Sequence, residues 1–105
     1  MNYIKQINAF YNQIELNPLS ASAVALWHTL VHINNKTGWK DTFTVAGMVL
    51  RIKSGLKESA FKRARDELKT KGYMTWTSNG SNKAPSYHIV CLSTAVERFM
   101  GESAT

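Results

Sequence analysis

The sequence predicts an α+β fold that is mostly helical, and three observations predict it. Apolar residues recur at helical spacing through much of residues 3–71. Two segments, 73–77 and 87–91, are strand-like and are typical of an antiparallel hairpin. An apolar fraction of 44% and an aromatic fraction of 10% favour a folded globule over a disordered chain. A chain of 105 residues is long enough for one core, so we expect a single domain.

The first two helices are predicted from apolar spacing and from the residues at their ends. Asn17-Pro18 ends the first helix, which is amphipathic. Ser20 is predicted to be the N-cap of the second helix, whose apolar residues cover more than one side. A helix of that kind is expected near the centre of the core, and a polar segment from Asn34 to Gly38 is expected to break it. The apolar residues of the first helix are Tyr3, Ile4, Ile7, Phe10, Tyr11 and Ile14.

A short strand and two further helices are predicted next. Residues 42–44 are expected to form the strand, and Thr44 is expected to cap the third helix. A turn around Gly55 leads into a fourth helix from about Glu58 to Lys71. Gly72 follows where a left-handed C-terminal cap is expected. The third helix is expected to carry Val45, Met48, Val49 and Ile52.

The last elements are a hairpin and a short helix. Asn79-Gly80 opens the connection between the two strand-like segments. Thr94 with Glu97 three positions later resembles a capping box, which predicts a last helix through Phe99. This order of elements predicts a winged helix-turn-helix with an added N-terminal helix, a C-terminal β-hairpin wing and a short final helix. Its predicted parts are an N-terminal helical extension (1–16), the winged-helix core (19–92) and a C-terminal helix and tail (93–105).

Positive charge is concentrated around the fourth helix. Residues 51–71 hold eight basic and three acidic residues, a net charge of +5 within a chain whose formal net charge is +6. A helix-turn-helix with a basic second helix and a following hairpin is an arrangement that reads double-stranded DNA. The simpler alternative is a solvated helix face, on which Asp66 and Glu67 pair with nearby cations at three- or four-residue spacing.

Helical geometry sorts the residues of this helix into two faces. Phe61, Ala64 and Leu68 share one face, and Arg65 lies at its edge, where it is expected to hold the fold together. On the opposite face, Arg63 is the candidate for a bidentate guanine contact. The candidate DNA-binding residues are Lys57, Ser59, Lys62, Arg63, Asp66 and Lys69 on the helix, with Asn79, Ser81, Asn82 and Lys83 at the hairpin tip.

Other classes of function find little support in the sequence. No catalytic motif or Gly-rich phosphate loop is visible, so we expect a protein that is not an enzyme and needs no cofactor. His28 and His32 lie one helical turn apart, but further ligands are not well placed, and no metal site is expected. No apolar run is long enough to span a membrane. The single cysteine, Cys91, cannot form an internal disulfide, which favours the cytoplasm.

The first helix has two interpretations. Its apolar stripe packs on its own domain or on a second protomer, and a homodimer is favoured because pairing two weak DNA-binding modules raises avidity. The residues predicted to mediate oligomerisation are Tyr3, Ile7, Phe10 and Ile14.

Several segments together resemble the N-terminal domain of phage replisome organisers, relatives of DnaD-type primosomal proteins. They are LWHTLVHINNKTGW from Leu26, FTV at Phe43, SGL at Ser54, RARDEL at Arg63, KGYM at Lys71 and APSYHIV at Ala84. The resemblance implies a winged helix that assists initiation of DNA replication, often self-associates and meets other replication-initiation proteins. Two alternatives stay open: a protein–protein oligomerisation module of a primosome with little DNA binding, and a transcriptional regulator of a mobile element.

Overall fold

A computed structural model describes residues 2–92 of the chain. The predicted last helix, with Thr94 and Glu97, lies outside the described residues. The described part is α+β and contains four helices and three strands. The elements are α1 (Tyr3–Leu16), α2 (Ala21–Lys36), β1 (Phe43–Thr44), α3 (Gly47–Ser54), α4 (Glu58–Thr70), β2 (Met74–Thr77) and β3 (Ser86–Ile89).

The described residues fall into two compact units. The first comprises residues 2–18 and 91–92, and the second comprises residues 19–90. In the first unit, the side chain of Asn2 accepts a hydrogen bond from the backbone N–H of Lys5 and caps α1. Gln6 is fully buried, and its Oε1 accepts a hydrogen bond from the backbone N–H of Leu92 at 2.9 Å. The buried amide oxygen is thereby satisfied, as polar groups in protein interiors generally are.

The second unit is built around α2, as its apolar composition predicts. Helix α2 packs on both α3 and α4, and β2 packs on α4. Ser20 caps α2, as predicted, because its Oγ accepts a hydrogen bond from the backbone N–H of Ala23 at 3.2 Å. The fully or almost fully buried apolar residues of this unit include Leu26, Trp27, Leu30, Val31, Leu50, Leu68, Tyr73, Met74, Tyr87 and Ile89.

Helix α2 ends within the polar segment predicted to break it. Its last residue is Lys36, so Asn34, which is buried, is still helical. The carbonyl of Asn34 accepts hydrogen bonds from the backbone N–H groups of Thr37 and Trp39, which close the turn after the helix.

The three strands form one antiparallel sheet in the order β1-β3-β2. In the register, Met74 is opposite Ile89, and Phe43 is opposite Tyr87. Thr44 belongs to β1, as predicted, and is paired with Ser86, but the prediction that it caps the third helix is wrong. The N-cap of α3 is Ala46, which makes no side-chain capping hydrogen bond.

Helix α3 carries Met48, Val49 and Ile52, as predicted, but all three side chains are exposed, and Leu50 is its one buried residue. Val45 was predicted to belong to this helix but lies before it, and its backbone N–H donates to the carbonyl of Pro85. Most of the large apolar side chains of α3 therefore face solvent.

Candidate nucleic-acid interface

The turn between α3 and α4 sets the start of the candidate interface. Gly55 ends α3 with φ 77°, in the left-handed region that glycine adopts without steric cost. Its backbone N–H donates to the carbonyl of Arg51 at 2.9 Å. Lys57 is the N-cap of α4 and makes no side-chain capping hydrogen bond, so its side chain is exposed at the start of the helix.

Helix α4 has the two faces that the sequence predicts. Phe61, Ala64 and Leu68 are buried. The side chains on the opposite face are exposed, and they include every predicted contact between Glu58 and Thr70. These exposed residues are Ser59, Lys62, Arg63, Asp66, Lys69 and Thr70.

The cations of this face differ in how they are held. Lys62 forms an ion pair with Glu58 one turn earlier, at 3.3 Å, and both side chains are more than 60% exposed. An exposed pair of this kind contributes little and separates readily. Arg63 forms no ion pair with any residue between 2 and 92, so its guanidinium is available to an external ligand.

Two other cations of α4 are directed towards the sheet. The guanidinium of Arg65 lies 3.7 Å from the ring centroid of Trp76 on β2 and 5.0 Å from that of Phe61. The predicted position of Arg65, at the edge of the buried face, is thus confirmed. The Nζ atom of Lys69 lies 5.4 Å from the ring centroid of Trp76 and donates a hydrogen bond to the backbone carbonyl of Trp76 at 3.4 Å. This contact is not evident from the sequence alone, and Lys69 remains exposed.

The hairpin tip is exposed throughout and is ordered by one of its predicted contact residues. The side-chain amide of Asn79 donates to the carbonyl of Ala84 at 2.8 Å and to Oγ of Ser86 at 2.9 Å. Gly80 and Asn82 both adopt positive φ, which reverses the chain. Asn79 therefore shapes the tip, while the side chains of its neighbours point outwards. The exposed tip residues include Asn79, Ser81, Asn82 and Lys83.

An acidic residue on the side of α4 fixes the helix to the N-terminus of α2. The Glu67 carboxylate accepts hydrogen bonds from the backbone N–H and the hydroxyl of Ser20, and it pairs with Lys71 at 3.8 Å. Partial burial, the largest single influence, acts to raise the pKa of the Glu67 carboxyl. The hydrogen bonds from Ser20 and the charge of Lys71 outweigh it and lower that pKa below its ordinary value.

The stripe predicted to mediate oligomerisation is largely covered. Phe10 is fully buried, and Tyr3, Ile7 and Ile14 are partly buried. Helix α1 instead exposes a different apolar set, and sequence spacing alone does not separate the two sets. The exposed set is Ile4, Tyr11 and Leu16.

The histidines provide no metal centre in the described part of the chain. No group of three or more His, Cys, Asp or Glu side chains there is arranged to hold a metal ion. Burial lowers the pKa of His28. The Nδ1 atom of His88 lies 2.7 Å from the backbone carbonyl oxygen of Asp41 and forms a hydrogen bond with it. Among residues 2–92, no helix is long and apolar enough to cross a bilayer.

Comparison with known proteins gives a likeness of fold. One solved structure, described as the N-terminal domain of a DNA binding protein, matches with a TM-score of 0.56 and 14% sequence identity. The match covers 80% of this chain and 75% of that one. No protein-family model matches the sequence. No curated protein matches it either.

Proposed function

We propose that this chain is a winged helix-turn-helix that binds double-stranded DNA, with α4 as the recognition helix and the β2–β3 hairpin as the wing. The observation that carries the proposal is the uncovered cationic face of α4, with Arg63 exposed and unpaired among the described residues. A duplex is a strong polyanion, and an exposed helix of this width fits its major groove.

The contacts follow from the position of each residue along the helix. The first turns of a recognition helix approach the base edges, so Ser59, Lys62 and Arg63 contact bases in this proposal. Arg63 is assigned a bidentate contact to guanine, because its planar fork matches the O6 and N7 acceptors. Lys57 and Lys69 contact phosphates on either side. The ion pair between Glu58 and Lys62 opens when a phosphate or base replaces the carboxylate.

The hairpin tip supplies the second contact. Its residues are exposed, small and rich in hydrogen-bond donors, and Lys83 adds a positive charge. A tip of this kind lies along the backbone or enters the minor groove. Asn79 acts indirectly, since its amide already holds the tip in shape.

The likeness of fold supports the same function. The matching solved structure is described as a DNA-binding protein's N-terminal domain, and its likeness extends over most of both chains. The role in replication initiation rests on the resemblance of the sequence segments to phage replisome organisers. We therefore propose that the chain is a non-enzymatic cytoplasmic module that binds origin DNA and other initiation proteins.

A second candidate function, oligomerisation, is favoured by the exposed surface of α1. Ile4 and Leu16 are 70% and 83% exposed, and a second subunit that packs on α1 would cover them. A dimer also raises the avidity of two DNA-binding modules.

A titration of a labelled duplex at several salt concentrations, beside a molar-mass measurement by light scattering, tests both candidates. With four to six phosphate contacts, the slope of log affinity against log salt is expected to be about −4 to −5. Negligible binding at physiological salt, with a stable dimer or tetramer, would reject the DNA proposal in favour of the oligomerisation module. Tight binding to one palindromic promoter site would instead favour a transcriptional regulator.

A further inference from the structure

Helix α3 carries an exposed apolar ridge that the DNA proposal does not use. Met48, Val49 and Ile52 are 68%, 38% and 74% exposed. Together with Leu56 after the turn, we call these residues the α3 surface. An open groove of about 400 Å³ runs along it, lined by Met48, Arg51, Ile52, Gly55, Leu56 and Lys57.

The apolar residues of the α3 surface form one continuous face. Met48 and Ile52 are four residues apart, and Val49 and Ile52 are three apart, so their side chains are neighbours on the helix. Only one of the eight residues of α3 is buried, and the large apolar side chains of Met48, Val49 and Ile52 are exposed to solvent. A clustered set of this kind marks an interaction surface, and methionine adapts to varied partners.

The rim of the α3 surface is positively charged. Arg51, Lys53 and Lys57 flank the apolar residues, and residues 47–57 contain no acidic side chain. Within residues 2–92, none of these three cations takes part in an ion pair. A second copy of the chain placed face to face on this surface would bring like charges together, which disfavours self-association there.

The apolar face and the positively charged rim of the α3 surface together indicate the chemistry of its binding partner. We propose that the α3 surface binds an acidic amphipathic helix of a partner protein. Its apolar stripe would contact Met48, Ile52 and Leu56, and its flanking Asp or Glu side chains would pair with Arg51 and Lys53. An eight-residue helix is about 12 Å long, which matches two turns of a partner with apolar residues at i, i+4 and i+7.

Nucleic acid fits this surface less well than a protein does. A duplex offers phosphates and base edges, and the thymine methyl is its main apolar group. Three exposed apolar side chains would therefore stay largely unmatched against DNA. The surface is thus assigned to protein, and its apolar residues are separate from the residues that are assigned to DNA.

A synthetic peptide of about 15 residues tests the proposal, with leucines at i, i+4, i+7 and i+11 and glutamates at the flanking positions. The control peptide has the same composition in scrambled order, which removes the stripe and keeps the charge. Binding to the full chain is followed by NMR. We expect shifts centred on Met48, Ile52 and Leu56 and an affinity for the control peptide lower by about tenfold or more.

A pair of double variants locates the binding site. Met48→Ser with Ile52→Ser should weaken peptide binding by about tenfold. The control variant, Ile4→Ser with Leu16→Ser, removes exposed apolar side chains of α1 and should leave peptide binding unchanged. Circular dichroism during heating checks that both variants fold. Duplex affinity is measured in parallel and should stay unchanged in the Met48/Ile52 variant.

Four results would overturn the proposal. They are equal binding of the two peptides, shifts centred on α4, a Met48/Ile52 variant that loses duplex affinity, and loss of wild-type self-association in that variant. The proposal would also be overturned if the chain bound anionic vesicles through Met48 and Ile52 but did not bind the peptide. That result would show that the surface binds a membrane.

Discussion

The carboxylate of Glu67 on α4 accepts two hydrogen bonds from Ser20, the N-cap of α2, at 2.7 Å and 2.8 Å. The Ser20 hydroxyl also accepts from the backbone N–H of Ala23, so one side chain caps α2 and links it to α4. The contact spans 47 residues of sequence and helps to fix the orientation of the cationic face.

Loss of this link should destabilise the fold. Replacing Glu67 by Ala removes two hydrogen bonds to a charged acceptor, and we expect the free energy of unfolding to fall by about 1–2 kcal/mol. Urea denaturation measures the change. The control is Glu58→Ala, which removes an exposed ion pair on the same helix and should cost less than about 0.5 kcal/mol. Equal effects of the two variants would show that the link contributes nothing of its own.

The same link predicts a pH dependence. The folded pKa of Glu67 lies below its ordinary value, so its stabilising contribution is fully present above the unfolded pKa of about 4.3 and is lost as the pH falls through the folded value. The stability difference between wild type and Glu67→Gln should therefore shrink as the pH is lowered from 7 towards 3. Urea denaturation at a series of pH values measures it. A difference that stays constant over this range would contradict the assigned hydrogen bonds.

Replacement of Arg65 and replacement of Arg63 should have different effects, although both residues lie on α4. The first should lower stability, and the second should weaken DNA binding. Arg65→Ala removes a guanidinium packed on Trp76 and should destabilise the fold by about 1–2 kcal/mol. Arg63→Ala removes an exposed side chain and should change stability by less than about 0.5 kcal/mol while weakening DNA binding. Tryptophan fluorescence during urea denaturation reports stability. A stability loss for Arg63→Ala equal to that for Arg65→Ala would disprove this division of roles.

The turn before β2 depends on the backbone of Gly72. Its φ of 82° is left-handed, and an added Cβ would meet no atom within 4 Å, so the cost of Gly72→Ala is conformational. We expect a loss of about 1 kcal/mol in thermal or urea denaturation. Gly47→Ala is the matched control, because that residue is helical and its added Cβ would make an ordinary contact with Phe61 at 3.5 Å. It should be neutral or stabilising.

The sequence predicted the elements whose signals are local. Ser20 as a cap, the helical face of Phe61 and Leu68, and the left-handed Gly72 each follow from the residues within a few positions, and each is observed. Thr44 was correctly predicted to lie in a strand, but its predicted capping role was wrong, because α3 begins only at Gly47. Its pairing with Ser86 depends on a strand more than 40 residues away.

Long-range side-chain contacts could not be predicted in the same way. The tie between Glu67 and Ser20 and the approach of Lys69 to Trp76 depend on how α4 sits against α2 and β2. Periodicity places Met48 and Ile52 on one face of a helix, but it does not reveal that this face stays uncovered. Exposure of the α3 surface is therefore a result of packing, which only the three-dimensional structure supplies.

The most direct test of the central claim compares two double variants that lose the same charge. Lys62→Ala with Arg63→Ala removes cations from the face assigned to the major groove, and Lys5→Ala with Lys36→Ala removes cations from outside it. Fluorescence anisotropy with a labelled duplex measures both affinities. We predict that the first variant binds at least about tenfold more weakly and that the second binds nearly as wild type. Equal affinities of the two variants would contradict recognition by α4.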